Sequence, residues 1–251
     1  MRVAALLAAI AALVAAGTST AGPGPPRSVK AKCGAYTPTA GMHPLWLRAS
    51  DGVRLYAAEA GHGRTAVVLA HESPADLCGW LHFAPILEHA GLRVLAFDFR
   101  GFGDSGPGIG KGALAYDRDV RAAIAHVRRE GARKVVLVGA SFGGAVALAD
   151  AARLDVDGVI SLSGEPRLPN AGLDGLAGVR RLHVPLLVVA SSDDHWCTAA
   201  DARAIVRAAG SRDKRADVYS GAWHGWDILD LAPYAARARA AVLGWIGAHA
   251  S

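Results

Sequence analysis

The chain predicts one α/β domain with a mostly parallel central sheet, an N-terminal antiparallel hairpin and helices on both faces. Three observations carry that expectation. Short β-rich apolar runs recur from Thr65 onward, longer stretches of helical periodicity separate them, and most links between the two are short. Strands buried on both faces read as continuous apolar runs, and parallel neighbours need a crossover helix between them. With 251 residues, 52% of them apolar and 20% charged, the chain can bury a full core, which excludes general disorder.

Residues 1–21 read as a secretory signal peptide. Arg2 precedes an apolar run from Val3 to Ala16, small polar residues follow, and Ser19 and Ala21 suit a cleavage site after Ala21. The run is shorter than the roughly 20 residues that a bilayer span needs. The expectation is an exported chain with no stable membrane span after cleavage. Residues 22–43 open on "GPGPP" and are expected to be a flexible tether before a domain over 44–251. Cys33, Cys78 and Cys197 are the three cysteines, which leaves one disulfide and one free thiol in an oxidising compartment. Three pairings are open, and Cys33 with Cys78 is the expected one.

The stretch "LWLRASDGVRLYAAEAG" alternates on both sides of Asp51-Gly52, a dipeptide suited to a tight turn, and predicts the hairpin. "TAVVLA", "RVLAFDF", "KVVLVGA", "DGVISLSG", "VPLLVVAS" and "ADVYSG" predict the remaining strands. Helices are expected over Ala75 to His89, Gly112 to Glu130, Phe142 to Arg153, Thr198 to Ala209 and Ala232 to His249. In an open parallel sheet, ligands sit beyond the carboxyl ends of the strands, so chemistry belongs where each apolar run stops.

One of those ends carries Gly139-Ala140-Ser141-Phe142-Gly143, a G-x-S-x-G pattern between a predicted strand and a predicted helix. Strand and helix approach so closely at this turn that its flanks need glycine, and the serine hydroxyl is lifted clear of the sheet. The first N–H groups of the helix, starting at Phe142, then point at any oxyanion formed beside Ser141. A serine needs a base. Of the ten histidines, His224 stands just past the last predicted strand and before the last helix. Asp193 and Asp194 end the strand between the serine and that histidine, so either gives the chain order Ser, Asp, His.

These segments resemble the α/β-hydrolase superfamily, its esterase-like members in particular, over essentially the whole domain. "AFDFRGFGDSG" is similar to the D-x-R-G-x-G-x-S segment that follows the fourth strand in many of them, where Arg100 and Asp104 would brace the loop. "LAHESPADLCGW" corresponds to the oxyanion loop, usually written His-Gly, with Glu72 standing in place of the glycine. The resemblance implies main-chain oxyanion donors at Ser73 and Phe142. It also selects Asp194 as the acid, because the family places that residue three positions after a strand-ending glycine whose position Ser191 takes. Members commonly insert a cap after the sixth strand. Here residues 165–183 are too few for one, so an open cavity is expected, with Trp80, Phe142, Trp196 and Trp223 as apolar walls.

Other chemistries fit poorly. The formal charge of +5 comes from 27 scattered Lys and Arg without aromatic interleaving, which argues against nucleic-acid binding. Asp193, Asp194, His195 and Cys197 lie close together but lack a second ligand pair, and His71-Glu72 lacks the second histidine of a zincin helix, so no metal is expected. No G-x-G-x-x-G opens a first βα unit, and no cofactor is expected. A haloalkane dehalogenase would need a carboxylate where Ser141 stands. The sequence therefore leads to a secreted serine hydrolase that cleaves carboxylic esters or related acyl compounds through an acyl-enzyme, with a small-molecule acyl substrate as its partner. A peptidase or acyltransferase could use the same residues, and a hydrolase-fold binding protein without turnover is the reading from another class.

Overall fold

The computed structural model describes residues 24–34, 38 and 41–250. The expected signal peptide at 1–21 lies outside the described residues. The hairpin forms as expected, with β1 (His43–Arg48) antiparallel to β2 (Arg54–Ala60). Then follow β3 (Thr65–Ala70), β4 (Arg93–Phe97), β5 (Lys134–Ala140) and β6 (Gly158–Leu162). A small separate hairpin joins β7 (Arg167–Leu168) to β8 (Leu173–Asp174). Strands β9 (Leu186–Ser191) and β10 (Lys214–Tyr219) complete the main sheet. It is 8-stranded in the order β1-β2-β4-β3-β5-β6-β9-β10, antiparallel as far as the β2–β4 pairing and parallel beyond it.

The period-2 alternation of side chains divides the core into two layers. Val135 and Leu137 of β5 pack on one face with α3 (Tyr116–Arg129), α4 (Phe142–Asp150) and α6 (Ala199–Ala208). Val136 and Val138 pack on the other face with α2 (Ala84–His89) and α7 (Ala235–His249). Helix α3 buries Val120, Ala123, Ile124 and Val127, a stripe at helical spacing, and carries Asp117 and Asp119 in its first turn, where the helix dipole favours them. Thr198 and Asp201 cap α6 reciprocally. The helix expected over Ala75 to His89 is divided into a 3-10 turn, Leu77–His82, and α2. Pro85 explains the break: with no N–H and a fixed φ it fits the first turn of α2 but not a helix interior. Among the described residues no helix is long and apolar enough to cross a membrane.

The segment after β6 holds the small hairpin and the short α5 (Gly175–Val179), so there is no large cap. Arg100 braces the fold as the sequence suggested. Its fully buried guanidinium reaches Asp119 on α3 and Asp51 in the hairpin turn, both at 2.7 Å. The Arg100 bond and charge, with a further bond from Arg118, outweigh burial and hold the Asp51 carboxyl at about 2.

The expectation of a flexible tether over 22–43 needs correction for its described part. Residues Val29–Cys33 form a helix, α1, capped by the Ser28 side chain and bonded to the 3-10 turn through the Cys33–Cys78 disulfide. The disulfide is the expected one, and Cys197 is left as a buried free thiol. What sequence pattern could not show is Lys32. Its side chain is 1% exposed and lies 2.8 Å from Asp76 and 2.9 Å from Asp98, itself fully buried. Leaving such a buried set without one partner costs about 3–5 kcal/mol. That penalty keeps α1 docked.

Candidate active site

Strand β5 ends in a turn that a normal side chain cannot negotiate without strain. Ser141 has φ 46 and ψ −111, a positive φ for a residue with a Cβ. A Cβ on Gly139 would strike the Gly143 carbonyl, and one on Gly143 would strike the carbonyl of Ala70 in β3. Glycine is therefore required on both sides of the serine. The Ser141 side chain makes no cap hydrogen bond to α4, so it is not serving as an ordinary helix cap. It opens instead into a cavity of about 420 Å³ that His224 also lines.

His224 is oriented from behind. Its Nδ1 lies 2.9 and 3.0 Å from the two Asp194 oxygens, which leaves Nε2 for the cavity. Asp194 is 2% exposed and also accepts from the Trp196 N–H at 2.9 Å. Burial alone would raise its carboxyl, yet the bonds from His224 and Trp196 hold it below the usual range. For His224, burial is outweighed by the Asp194 hydrogen bond and charge, and the imidazole is raised above 6.5. Asp193 is exposed, with its backbone N–H tied to the Gly221 carbonyl. Of the two candidate acids, only Asp194 meets the histidine.

The loop after β3 brings Ser73 to the same cavity, beside Phe142. Among the described residues neither Ser73 N–H nor Phe142 N–H donates to a backbone acceptor outside the regular elements. Both residues line the cavity together with Ser141, the placement expected of main-chain oxyanion donors. The loop is fixed from within by His71. Its Nε2 accepts from Phe99 N–H at 3.0 Å, so Nδ1 carries the proton and donates to the Glu72 carbonyl at 2.8 Å. Burial pushes this imidazole down to about 4, and it stays neutral.

Glu72, the departure from the family pattern, turns its carboxylate to the loop after His224. Its carboxylate lies against Gly225, leaving no room for a Cβ there, and accepts weakly from Trp226 N–H at 3.4 Å. Burial pushes it up to about 7, the Asp227 and Asp194 charges adding to the effect and the Trp226 bond and His224 opposing it. Glu72 therefore braces the histidine loop.

Of the expected apolar walls, Phe142 and Trp196 line the cavity. Trp80 and Trp223 do not. Trp80 is fully buried in the core against Trp226, at 5.8 Å between ring centroids, and Trp223 packs on the same core layer. Phe102, Tyr116, Glu165, Leu168 and Asn170 take part in the lining instead. They come from the loop after β4, the start of α3 and the short segment 165–170 after β6, three separate stretches of chain, and no local pattern marks them. Among the described residues no three His, Cys, Asp or Glu side chains cluster to hold a metal ion.

A family profile described as the alpha/beta hydrolase fold matches residues 62–199, more than half of the chain. The chain belongs to the alpha/beta hydrolase fold family. Among solved structures, this hydrolase chain is similar to an esterase from Pyrococcus furiosus, with a TM-score of 0.74 and 16% identity over 90% of this chain and 97% of that one. It is also similar to a thermophilic esterase from Thermogutta terrifontis, with a TM-score of 0.68 and 20% identity over 83% of this chain and 100% of the other. At those identities the likeness is one of fold. Among curated relatives, epoxide hydrolase A of Mycobacterium tuberculosis is 36% identical over 125 residues, 49% of this chain and 38% of the relative. Bifunctional epoxide hydrolase 2 of Rattus norvegicus is 40% identical over 60 residues, 24% of this chain and 11% of the relative. The matches thus span well under half the length of these curated relatives.

The site sets a pH dependence. A histidine acting as base must be neutral, and the Asp194 bond and charge raise the His224 imidazole, so with His224 in that role activity is expected to fall as pH drops through the raised value. The kcat/KM profile of the free enzyme should show an acid limb with its midpoint above 6.5. A profile that stays level from pH 8 to about 5 would remove His224 from the role.

Proposed function

We propose that the protein is an exported serine hydrolase of carboxylic esters or related acyl compounds. One observation carries the reading: a strained, uncapped Ser141 shares a cavity with a histidine whose far nitrogen is held by a buried carboxylate. In the proposed reaction, Ser141 Oγ bonds to the acyl carbon as its proton passes to His224 Nε2. Ser73 and Phe142 N–H groups hold the oxyanion, Asp194 stabilises the imidazolium, and the alcohol leaves with the proton. Water then repeats the sequence on the acyl-enzyme, releasing the acid and restoring Ser141.

The curated relatives raise epoxide opening as a competitor. Attack by a serine oxygen on an epoxide carbon would form an ether, which has no carbonyl to receive water and would end turnover. An acyl ester of the same serine is hydrolysable. Ser141 thus favours acyl substrates, and the short segment 165–183 favours those of short or medium chain entering an open cavity. The Cys33–Cys78 disulfide supports an oxidising compartment. Assays with p-nitrophenyl esters of graded chain length, beside aminoacyl amides and an epoxide, test the reading. Turnover is expected on the shorter esters. Turnover of the epoxide alone would overturn it, and faster turnover of amides would move it to a peptidase.

A further inference from the structure

The cavity above Ser141 contains a charge that ester hydrolysis does not use. Glu165, just past β6, lines it with a half-buried carboxylate. The nearby Arg167 turns to Asp174 instead, and neither Lys nor Arg lines the cavity. Burial raises the Glu165 carboxyl, His224 alone among the neighbouring charges opposes that, and Asp194 and Asp201 reinforce it. Aromatic rings line the same space. Tyr116 and Phe142 have centroids 4.8 Å apart, Phe102 and Phe142 5.7 Å, and Trp196 stands at the rim, 66% exposed.

An uncompensated carboxylate is a poor neighbour for a reaction that builds negative charge on a carbonyl oxygen. A substrate that brings its own cation removes that conflict, and aromatic faces attract such a cation through their quadrupoles. The net charge of +5 opposes long-range attraction of cations, so any selection of them must be local to this cavity.

We propose that the cavity selects esters carrying a quaternary or protonated amine, with the cation held between Glu165 and the aromatic side chains Phe102, Tyr116, Phe142 and Trp196. The substrate class rests on the esterase reading. The cation site itself can be measured without turnover.

The test is calorimetric titration of the full chain with choline and with its carbon isostere, in which a quaternary carbon replaces the nitrogen. Choline should bind about tenfold more tightly or better. Glu165→Gln should remove most of that preference, and Trp196→Ala, at an exposed position that thermal unfolding should tolerate, should reduce it. Equal affinity for the two probes, or a preference that survives Glu165→Gln, overturns the inference. In parallel, kcat/KM is compared for acetylcholine and the acetate of the carbon isostere, with p-nitrophenyl acetate as the general ester. Hydrolysis of all three without a cationic preference rejects the substrate class and keeps the esterase. Hydrolysis of none rejects the esterase, and the choline titration then decides the site alone.

Discussion

Ser141→Ala is expected to lower kcat by about 10⁶-fold, the scale seen when a triad nucleophile is removed. The substitution deletes one oxygen that makes no cap bond to α4, and alanine retains the Cβ already accommodated at φ 46. Stability should therefore change little. A fluorophosphonate probe should label the native protein on this serine and leave the variant unlabelled. Labelling of the variant, or turnover above a tenth of the native rate, would place the nucleophile elsewhere. A native protein that resists the probe altogether would point to a binding protein without turnover.

Asp194→Asn should cost about 10⁴-fold in kcat, because an amide turned toward Nδ1 favours the wrong imidazole tautomer. The fold should survive. The amide oxygen can still accept from Trp196 N–H, which Asp194 now does at 2.9 Å. The acid limb of the pH profile should also move down, since the Asp194 bond and charge are the leading influences that raise His224. Asp193→Asn is the matched control at an exposed position and should be mild. Kinetics of the two variants across pH check both expectations, and a reversed ranking would assign the acid to Asp193.

The strands and the serine turn were legible because both are local. Apolar runs bounded by turn residues specify strands wherever they lie, and glycines around one serine follow from the clash of β5 with α4. Asp194 required one more step, a count from Ser191, and its 2% exposure beside His224 agrees with that count. The cavity wall was not legible. Phe102, Tyr116 and Glu165 meet only after the loop beyond β4, the start of α3 and the end of β6 come together. Trp80 shows the reverse failure: a large aromatic beside a site loop reads as a wall, but its turn faces the core. The segment 24–34 misled for a third reason. Its Gly- and Pro-rich composition describes an undocked chain, whereas its conformation is decided by two carboxylates that lie far along the sequence.

Those two carboxylates impose an order of assembly. Asp98 immediately follows β4, and Asp76 belongs to the loop after β3, so the pocket for Lys32 does not exist until these strands have paired in parallel. An ammonium group cannot leave water for a half-built pocket. Helix α1, early in the chain, is therefore among the late pieces to lock. The Asp98 that receives it also accepts from Leu77 N–H, at the end of the loop that carries Ser73. One buried carboxylate thus ties the N-terminal helix to the loop that carries Ser73.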